Sequence, residues 1–438
     1  MPLLLVLGYV WPEPDSSAAG WRMLSLLQLY RQQGWRIIFA SPADKSPHRF
    51  DLTAWGIEEA AVRLNDQSFA GQLRLWQPAV VLFDRFMLEE QFGWWVDEIC
   101  PQALKLLDSE DLHCLRSARQ QAFVQGRAVN AADLRSELAM REIAAILRCD
   151  LTLTISRAEL ALLTDFYQVP AAQLLYCPFL LDDVTVQWGF EFAQRQHLSF
   201  IGNFRHEPNW QAVLRLKRLW PELRRQLPGV ELHIYGAYPP PKATQLHAPA
   251  QGFHIKGWAD RAEQAFSGYR LCLAPLSFGA GLKGKIVDAM RFGTPVVTTP
   301  IGAEGISHAA QHTDFPGCVA TEDAELIAST VQLYQQALLW QQARQRMESC
   351  LAQFSLAQLQ PALWTQLEAA RAQLEAMRQQ AFIGRMLKYH HHRSTKFMAQ
   401  WIEAKNRLPA DLPEETSDAG SGTTGTTAER ETGDRADP

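Results

Sequence analysis

The stretch LCLAPLSFGAGLKGKIVDAMRFGTPVVTT, residues 271–299, contains a complete strand–loop–helix–strand unit. Its first apolar run, LCLAPL (271–276), predicts a buried strand, and the loop that follows is rich in glycine. A short helical segment then leads to a Gly-Thr-Pro turn and a second apolar run, PVVTT (295–299). Two apolar strands joined by a helix are typical of a parallel sheet, so this stretch indicates an α/β fold.

The same alternation of short apolar runs and helical segments occurs in both halves of the chain. The first half contains the predicted strands LLLVL (3–7), RIIFA (36–40), AVVLF (79–83), ALKLL (103–107) and LTLTI (151–155). The second half adds LSFIG (198–202), VELHIYG (230–236) and FHIKG (253–257) before the 271–299 unit. We therefore predict two Rossmann-like, doubly wound domains that face each other across a cleft, with a C-terminal helical extension.

Periodicity and composition suggest where these units begin and end. The expected division is 1–178 for the N-terminal Rossmann-like domain, 179–196 for a linker, 197–354 for the C-terminal Rossmann-like domain, 355–380 for a terminal helix, 381–408 for a basic amphipathic helical segment and 409–438 for a disordered acidic tail. Leucines at helical spacing after Ser355, a potential N-cap, predict that the terminal helix is continuous. The tail has too few apolar residues to fold.

Composition and charge exclude some classes of partner. The chain has 438 residues, is 47% hydrophobic and 20% charged, and carries a net charge of −5. This is the chemistry of a globular protein of two or three domains, without the basic excess that would predict nucleic acid as a partner. The charge is uneven, because residues 385–407 sum to +5 and residues 411–438 sum to −6.

Cysteine usage and hydropathy indicate a cytoplasmic protein. The seven cysteines form no Cys-x-x-Cys pair and no close Cys/His group of zinc spacing, so we expect reduced thiols and no metal site. No basic region precedes the apolar run at 3–7, and no apolar stretch approaches the length of a membrane span.

The segment 381–405 combines aromatic residues with cations, and the sequence leaves two roles open for it. It can lie on the anionic inner face of a membrane, as basic helices with an apolar face do. It can equally pack on the N-terminal domain. The histidine run 390–392 does not predict a metal site, because adjacent histidines on a helix point in different directions.

The glycine-rich loop of the 271–299 unit has the composition of a phosphate-binding site. Glycine lets a ligand approach the backbone, and the N-terminus of the following helix offers free N–H groups and the positive end of the helix dipole. Two lysines add positive charge. The predicted phosphate-binding residues are Gly281, Leu282, Lys283, Gly284, Lys285 and Ile286. Asp288 follows one turn into the helix, where a carboxylate can contact the ribose of a bound nucleotide.

A dinucleotide-binding reading of the same loop leads to a different activity. GAGLKG satisfies the pattern G-x-G-x-x-G, and Glu304 follows Gly284 by 20 residues, as in NAD(P)-dependent oxidoreductases. Against this reading, Glu304 lies beyond Pro300 and Gly302, outside the strand that should present a ribose-binding acid.

Four blocks of the C-terminal half occur in order with suitable gaps, and together they resemble the donor-binding half of glycosyltransferase family 4, whose members have the GT-B fold. The blocks are LSFIGNFRHEPN (198–209), YGAYPPPKATQL (235–246), KGWAD (256–260) and APLSFGAGLKGKIVDAMRFGTPVVTTPIGAEGI (274–306). The resemblance implies transfer of a sugar from a nucleoside-diphosphate sugar to a glycan or lipid-linked acceptor, as in polysaccharide biosynthesis. It also implies retention of the anomeric configuration and no required metal or other cofactor.

The resemblance assigns roles to individual residues. It places Gly202, Asn203 and Arg205 in the first diphosphate-facing loop, Trp258 at the base, and Asp288 at the ribose. One position departs from the family, because Ala280 stands where the first of two carboxylates separated by seven residues is expected. A non-catalytic protein that binds nucleotide sugars therefore stays open as a third function.

The N-terminal half resembles the family less closely. In its loop PEPDSSAAGWR (12–22), Gly20 and Arg22 are the candidates for contact with the donor phosphate. The cluster LLDSEDLHCLR (106–116) follows a predicted strand end, which is the ligand side of an open α/β sheet. There we take Asp111 and His113 as candidate catalytic residues, although His113 can equally be a structural histidine. Lys285 completes the catalytic set by stabilising the departing diphosphate.

Overall fold

Two parallel β-sheets covered by helices organise residues 1–308 and 310–407, the part of the chain that the computed structural model describes. The first sheet contains β1 (Leu3–Leu7), β2 (Arg36–Ser41), β3 (Glu58–Ala61), β4 (Val80–Asp84), β5 (Leu104–Asp108), β6 (Leu151–Thr154) and β7 (Leu174–Tyr176). The second contains β8 (Gln196–Ile201), β9 (Leu232–Tyr235), β10 (Phe253–Gly257), β11 (Tyr269–Ala274), β12 (Val296–Thr298) and β13 (Gly317–Val319).

The strand order places a ligand cleft at a defined point of each sheet. The orders are β3-β2-β1-β4-β5-β6-β7 and β10-β9-β8-β11-β12-β13. In the first sheet the chain reverses direction across the sheet between β1 and β4, and in the second between β8 and β11. Such switch points are where open α/β sheets bind ligands, at the carboxyl ends of the strands. The predicted fold class, with two Rossmann-like domains, is confirmed.

Helices cover both faces of each sheet. Those associated with the first sheet are α1 (Ala18–Gln32), α2 (Ser68–Trp76), α3 (Phe86–Ile99), α4 (His113–Val124), α5 (Glu137–Arg148) and α6 (Arg157–Ala161). Those of the second are α7 (Glu207–Gln226), α8 (Pro241–Thr244), α9 (Gly284–Arg291), α10 (Pro300–Ala303), α11 (Asp323–Gln335), α12 (Ala337–Gln345) and α13 (Met347–Ala352). The chain continues with α14 (Leu356–Ala372), α15 (Leu374–Gln380) and α16 (Phe382–Arg407). Because helices lie on both sides, every residue of the central strands β1, β4 and β5 is buried.

The predicted terminal helix differs from the structure. It is broken at Gln373 into α14 and α15, whose buried leucines pack into the core of the N-terminal domain. Ser355 precedes α14, but its side chain makes no capping hydrogen bond. Arg378 of α15 fixes this packing, because its guanidinium donates to the Asp150 carboxylate and to the carbonyl of Ala103.

The basic segment packs on the N-terminal domain, which is one of its two expected roles. Helix α16 lies across α3 and α5, and a Cβ added to Gly384 would meet the carbonyl oxygen of Leu147 at 2.2 Å. Lys388 and Lys396 form ion pairs with Asp97 and Glu98 of α3. Among the described residues, no helix is long and apolar enough to cross a membrane. The predicted tail, 409–438, lies outside the described residues.

A buried ion pair joins α1 to the first sheet. The Arg22 guanidinium donates to the Asp108 carboxylate at 2.8 Å, and both side chains are 1% exposed or less. Its Nη1 also donates to the carbonyls of Cys177 and Pro178, at 2.7 and 2.9 Å. One side chain therefore ties together α1, the end of β5 and the segment that leaves the N-terminal domain. The seven cysteines are free thiols in this structure.

We predict that Arg22→Met lowers the free energy of unfolding by about 3–5 kcal/mol, because it leaves the Asp108 carboxylate buried without its partner. The matched control is Arg36→Met, which removes an ion pair with Glu58 whose side chains are 53% and 49% exposed. That change should cost no more than about 1 kcal/mol. Urea unfolding of both variants measures the difference, and equal losses would contradict this role of Arg22.

Candidate active site

Helices α1, α7 and α9 begin at the cleft between the two sheets. The first residues of α1 and α9 meet there, because a Cβ added to Gly284 would lie 2.6 Å from the Cβ of Ala18. The start of α7 reaches the same place, since its Asn209 accepts a hydrogen bond from Lys285 at the start of α9. Helix N-termini that converge in this way attract anions.

The glycine-rich loop between β11 and α9 touches the N-terminal domain directly. Gly281 has a φ of +64°, and a Cβ there would lie only 2.8 Å from the Cβ of Asp111. Its N–H donates to the Glu159 carboxylate at 2.8 Å. Only glycine fits this conformation and this approach. The neighbouring side chains of Leu282 and Ile286 are buried, so these two residues can offer a ligand only backbone groups.

The two lysines of the loop have different roles. Lys283 is 8% exposed, and its ammonium donates to the carbonyls of Ala280 and Gly281, so it holds the loop itself. Lys285 reaches across to Asn209 at 2.9 Å. Burial and the nearby Lys283 charge lower the pKa of Lys285 to about 8. Of the two predicted phosphate-binding cations, Lys285 is the better placed.

The predicted diphosphate-facing loop lies at the start of α7, on the same cleft. A Cβ on Gly202 would meet the Asn209 side chain at 2.6 Å, so the loop lies directly against α7. The Asn203 amide accepts from the Arg205 N–H and donates to Ser16 of the N-terminal domain. The Arg205 guanidinium lies 3.8 Å from the ring centroid of Tyr238. The structure therefore brings Gly202, Asn203 and Arg205 together.

Asp288 and Trp258 lie on the donor side of the cleft. The Asp288 carboxylate lies 3.5 Å from Arg291 and is one-third exposed, yet the surrounding protein desolvates it and raises its pKa to about 6. Trp258 stacks on His48 of the N-terminal domain with ring centroids 4.2 Å apart, and its indole N–H donates to Asp260. The residue expected to hold the base thus already forms an aromatic stack across the cleft.

Of the two candidates in the first loop, only Gly20 reaches the cleft. Gly20 lines the cavity described below, and a Cβ there would lie 2.5 Å from the Glu13 backbone. Arg22 does not face the cleft, because its guanidinium is buried against Asp108. The sequence pattern did not distinguish the two, since they lie on different faces of the first turn of α1.

A cavity that is open to solvent lies between the domains. Its lining includes Glu13, Gly20, Asp84, Glu110, Asn203 and Arg205. Residues from both domains therefore share one cavity, with the cation Arg205 on the side of the C-terminal domain and three carboxylates, those of Glu13, Asp84 and Glu110, on the other.

Those carboxylates, Asp84 and Glu110, are the functional candidates that sequence reasoning missed. Asp84 is the last residue of β4 and Glu110 lies two residues after β5, and the two are 4% and 6% exposed. One oxygen of each, Oδ1 of Asp84 and Oε1 of Glu110, has no hydrogen-bond partner in the described part of the chain. Glu110 has a φ of +57°, and burial together with Asp108 raises its pKa well above the usual range. A polar residue at or just beyond the carboxyl end of an apolar strand is the sequence feature that could have identified them.

The predicted catalytic residues Asp111 and His113 lie beside this cavity in a charged cluster. Burial alone would raise the pKa of Asp111, but its ion pair with Arg116 overrides this and holds the pKa below the usual range. Burial and Arg116 lower the pKa of His113 to about 3, so the imidazole is neutral at pH 7. Its Nε2 lies 3.8 Å from the Asp111 carboxylate. His113 is also the first residue of α4, where its N–H donates to Glu142.

Buried ionic contacts hold the two domains together around the loop. Glu159 accepts from Gly281 and from Leu112, and burial with the nearby Asp111 charge raises its pKa to about 8. Arg119 pairs with Glu304 through both carboxylate oxygens and also donates to the Gly279 carbonyl. Glu304, the acid of the dinucleotide reading, is therefore committed to Arg119. The Ser-x-x-Glu pattern at 156–159, which is typical of a helix N-terminus, is the sequence feature that could have drawn attention to Glu159.

A family model matches most of the C-terminal domain. Residues 195–336 match the model of the family described as glycosyl transferases group 1. No curated protein matches the chain in sequence. The match covers the blocks that carry the resemblance to glycosyltransferases, and it supports that reading over the oxidoreductase one.

Solved structures with the same fold cover nearly the whole described chain. The sucrose-phosphate synthase tll1590 from Thermosynechococcus elongatus has a TM-score of 0.62 at 14% identity, over 84% of this chain and 100% of that one. Alr3699/HepE from Anabaena, solved with UDP and glucose, has a TM-score of 0.63 at 14% identity, with the same coverage. WaaG, a glycosyltransferase involved in lipopolysaccharide biosynthesis, has a TM-score of 0.55 at 12% identity, over 82% of this chain and 98% of that one. Residues 195–336 therefore match the group 1 glycosyl transferases, within a chain that has the two-domain GT-B fold.

Proposed function

We propose that the chain transfers a sugar from a nucleoside-diphosphate sugar to a hydroxyl group of a glycan or lipid-linked acceptor, as in polysaccharide biosynthesis. The observation that carries this proposal is a single cleft with a phosphate-binding wall and an acidic wall. The start of α9 with Lys285, together with the cavity-lining Arg205, forms the first, and the cavity-lining carboxylates of Asp84 and Glu110 form the second.

The donor diphosphate is proposed to rest on the start of α9. The first N–H groups of a helix have no partner within it, so those of Gly284 and Lys285 are available to phosphate oxygens. The Lys285 ammonium, with a pKa of about 8, is mostly charged at pH 7, and a bound diphosphate would favour the charged form further. These groups stabilise the leaving diphosphate as its charge develops. Gly202, Asn203 and Arg205 complete the phosphate site from α7.

The nucleoside is proposed to extend from the diphosphate toward Asp288 and Trp258. Asp288 would accept hydrogen bonds from the ribose hydroxyls, and Trp258 would contact the base by stacking. Because HepE from Anabaena was solved with UDP-glucose, a uridine nucleotide is the first donor to test.

The acceptor is proposed to bind at Glu110 and Asp84. A carboxylate accepts hydrogen bonds from hydroxyl groups, and both side chains line the cavity. Glu110 would orient the attacking hydroxyl while the bond between the anomeric carbon and the diphosphate breaks. Asp111 and His113 stay candidates for contact with the transferred sugar, because Asp111 lies against Gly281 at the sugar end of the donor loop.

Retention of configuration is the proposed stereochemistry, and it rests on the resemblance of the donor-side blocks to a retaining family. In front-side transfer the acceptor oxygen attacks from the side of the leaving group. The hydroxyl proton then passes to the departing phosphate oxygen, so the step needs no separate base. The family has a carboxylate where this chain has Ala280. No polar group takes its role at that position, because Ala280 is 7% exposed and packs into the hydrophobic cluster of the N-terminal domain.

Lys285→Ala is expected to lower transfer at least tenfold while the fold stays intact, because the leaving diphosphate loses its cation. Transfer from UDP-glucose to a mixed glycan acceptor, followed by NMR of the anomeric proton, measures the rate and the configuration of the product. Arg218→Ala, which removes an exposed cation of α7, is the matched control and should leave the rate unchanged. Undiminished transfer in Lys285→Ala would contradict the phosphate site.

Thermal stabilisation by NAD alone, and not by UDP, GDP or ADP, would support the oxidoreductase alternative. Donor binding without any turnover would support the non-catalytic one.

Glu110→Gln is expected to raise the KM for the acceptor about tenfold and to leave the affinity for the nucleotide unchanged. The amide keeps the size of the side chain but replaces a charged hydrogen bond by a weaker neutral one. Since the pKa of Glu110 is raised, the wild-type KM should rise as the pH falls and the carboxylate is protonated, whereas the variant should show no such dependence. Glu58→Gln, an exposed change on β3, is the control. A flat pH profile of the wild-type KM would contradict this assignment.

We also propose that the outward face of α16 contacts an anionic membrane. Phe382, Phe397 and Trp401 are 68%, 66% and 60% exposed on this helix. Arg385 and Arg393 are exposed beside them, and Glu403 is the one acid between positions 382 and 407. An apolar helix face with cations and almost no acid is complementary to an anionic lipid surface.

The double variant Phe397→Ser/Trp401→Ser is expected to lower binding to vesicles of phosphatidylglycerol and phosphatidylcholine at least tenfold, because it removes buried apolar area from the lipid contact. Leu338→Ser, which changes a residue of α12 that is 66% exposed, is the control and should bind as the wild type does. Co-sedimentation measures both. Equal binding of the double variant and the wild type would reject the membrane role.

A further inference from the structure

Three side chains with metal-ligand chemistry meet on the second sheet, at a distance from the cleft. Glu231 precedes β9 and His233 lies two residues further, so both side chains project from the same face. His254 of β10 is the direct partner of His233 in the parallel pairing. These residues lie toward the amino ends of their strands, whereas the cleft lies at the carboxyl ends.

The ligand atoms already converge. Oε2 of Glu231 lies 2.8 Å from Nε2 of His233 and 3.4 Å from Nε2 of His254, and the three atoms all lie within 4.8 Å of one another. Ligand atoms around a tetrahedral zinc ion are separated by about 3.3–3.5 Å, given bonds of about 2.0–2.2 Å. One distance already has this value, and the 2.8 Å contact needs only a small opening.

The hydrogen-bond network around His233 can present its Nε2 lone pair to a cation. Nδ1 of His233 lies 2.7 Å from the Tyr269 hydroxyl, which lies 2.7 Å from the Tyr235 hydroxyl. When Nδ1 carries the proton and donates it to Tyr269, the lone pair of Nε2 points toward Glu231. In metal-bound histidines, a hydrogen-bond partner on the ring nitrogen that does not bind the metal orients the imidazole in the same way. Nε2 of His254 is buried and has no hydrogen-bond partner in the described part of the chain.

Two neighbouring histidines are excluded as ligands by their own hydrogen bonds. Nδ1 of His197 accepts the N–H of Glu231 at 3.1 Å, and Nδ1 of His247 accepts the N–H of Ile255 at 3.0 Å. An imidazole that accepts at Nδ1 carries its hydrogen on Nε2, so that nitrogen cannot bind a metal. The site is therefore limited to three side chains, and His247 provides an internal control.

We propose that Glu231, His233 and His254 bind one divalent cation of the zinc class, with water at the fourth position. Two imidazole nitrogens and one carboxylate oxygen are a ligand set that zinc accepts. The cation would join β9 to β10, the edge strand of the second sheet. These two strands lead into Tyr238 and Trp258 at the cleft, so the metal would stabilise the support of the nucleotide site without entering it.

Zinc binding to the full chain, purified without a histidine tag, tests the proposal. Equilibrium dialysis against ZnCl₂ with metal analysis should find one tightly bound zinc per chain, and zinc should raise Tm by about 5 °C at saturation. His254→Gln and Glu231→Gln should each weaken binding at least tenfold and abolish the shift in Tm. His247→Gln should behave as the wild type.

Three results would overturn the proposal: no zinc bound by the wild type, equal losses in His254→Gln and His247→Gln, or loss only when His390, His391 and His392 are replaced together. Binding of Co²⁺ to the wild type provides a second measurement that does not depend on how the variants fold. Its visible absorption should show the intense bands of tetrahedral coordination, and a weak octahedral spectrum would also reject the site. Because these readouts are binding and spectra, they are independent of the proposed transferase activity.

Discussion

The geometry of the cleft depends on how the loop between β11 and α9 is fixed between the two domains. Its Gly281 N–H is bound by Glu159, its Gly279 carbonyl by Arg119, and its Ala280 and Gly281 carbonyls by Lys283. These partners are largely withdrawn from solvent, so leaving any of the hydrogen bonds unmade is costly. The loop backbone is therefore set by contacts from both domains before any ligand binds.

This constraint divides the charged groups between structure and ligand. Lys283 and Glu159 are committed to the loop, and Arg119 and Glu304 to each other. Other charged groups nearby make fewer hydrogen bonds than they could. These are Lys285 on the side of the C-terminal domain, and Asp84 and Glu110 on the opposite side. In the proposed function, phosphate binding and hydroxyl binding fall to opposite sides of the cleft, which is the arrangement that a transfer between two substrates requires. Asp108 is paired with Arg22, whereas burial, together with the nearby Asp108 charge, keeps the pKa of Glu110 raised.

The sequence predicted the fold well because apolar strands in a covered parallel sheet are readable as continuous runs. Strands β3, β7 and β13 were missed because they are only three or four residues long, and β3 (EEAA) is a polar edge strand. The donor loop was found because its glycines, lysines and helix lie within one local pattern. Arg22, Glu110, Glu159 and the pair of Arg119 with Glu304 were not assigned correctly, because their roles depend on contacts between residues 86 to 185 positions apart or on one strained backbone angle.

The geometry of helix α16 is compatible with both of its expected roles, packing on the N-terminal domain and contact with a membrane. A helix repeats every 3.6 residues, so one face can bury Gly384 and Ala399 against α5 and α3 while the other exposes Phe382, Phe397 and Trp401. Its contacts on α3 fall between Glu90 and Glu98, whereas Asp84 lies two residues before that helix begins. With a rise of about 1.5 Å per residue, the contact of α16 therefore lies about 10–20 Å along α3 from the proposed acceptor carboxylates, and the proposed membrane face lies about one helix diameter, about 10 Å, beyond it. A lipid-linked acceptor whose sugar portion reaches that distance could enter the cavity while its lipid stays in the membrane, so the two proposals about this domain are compatible in scale.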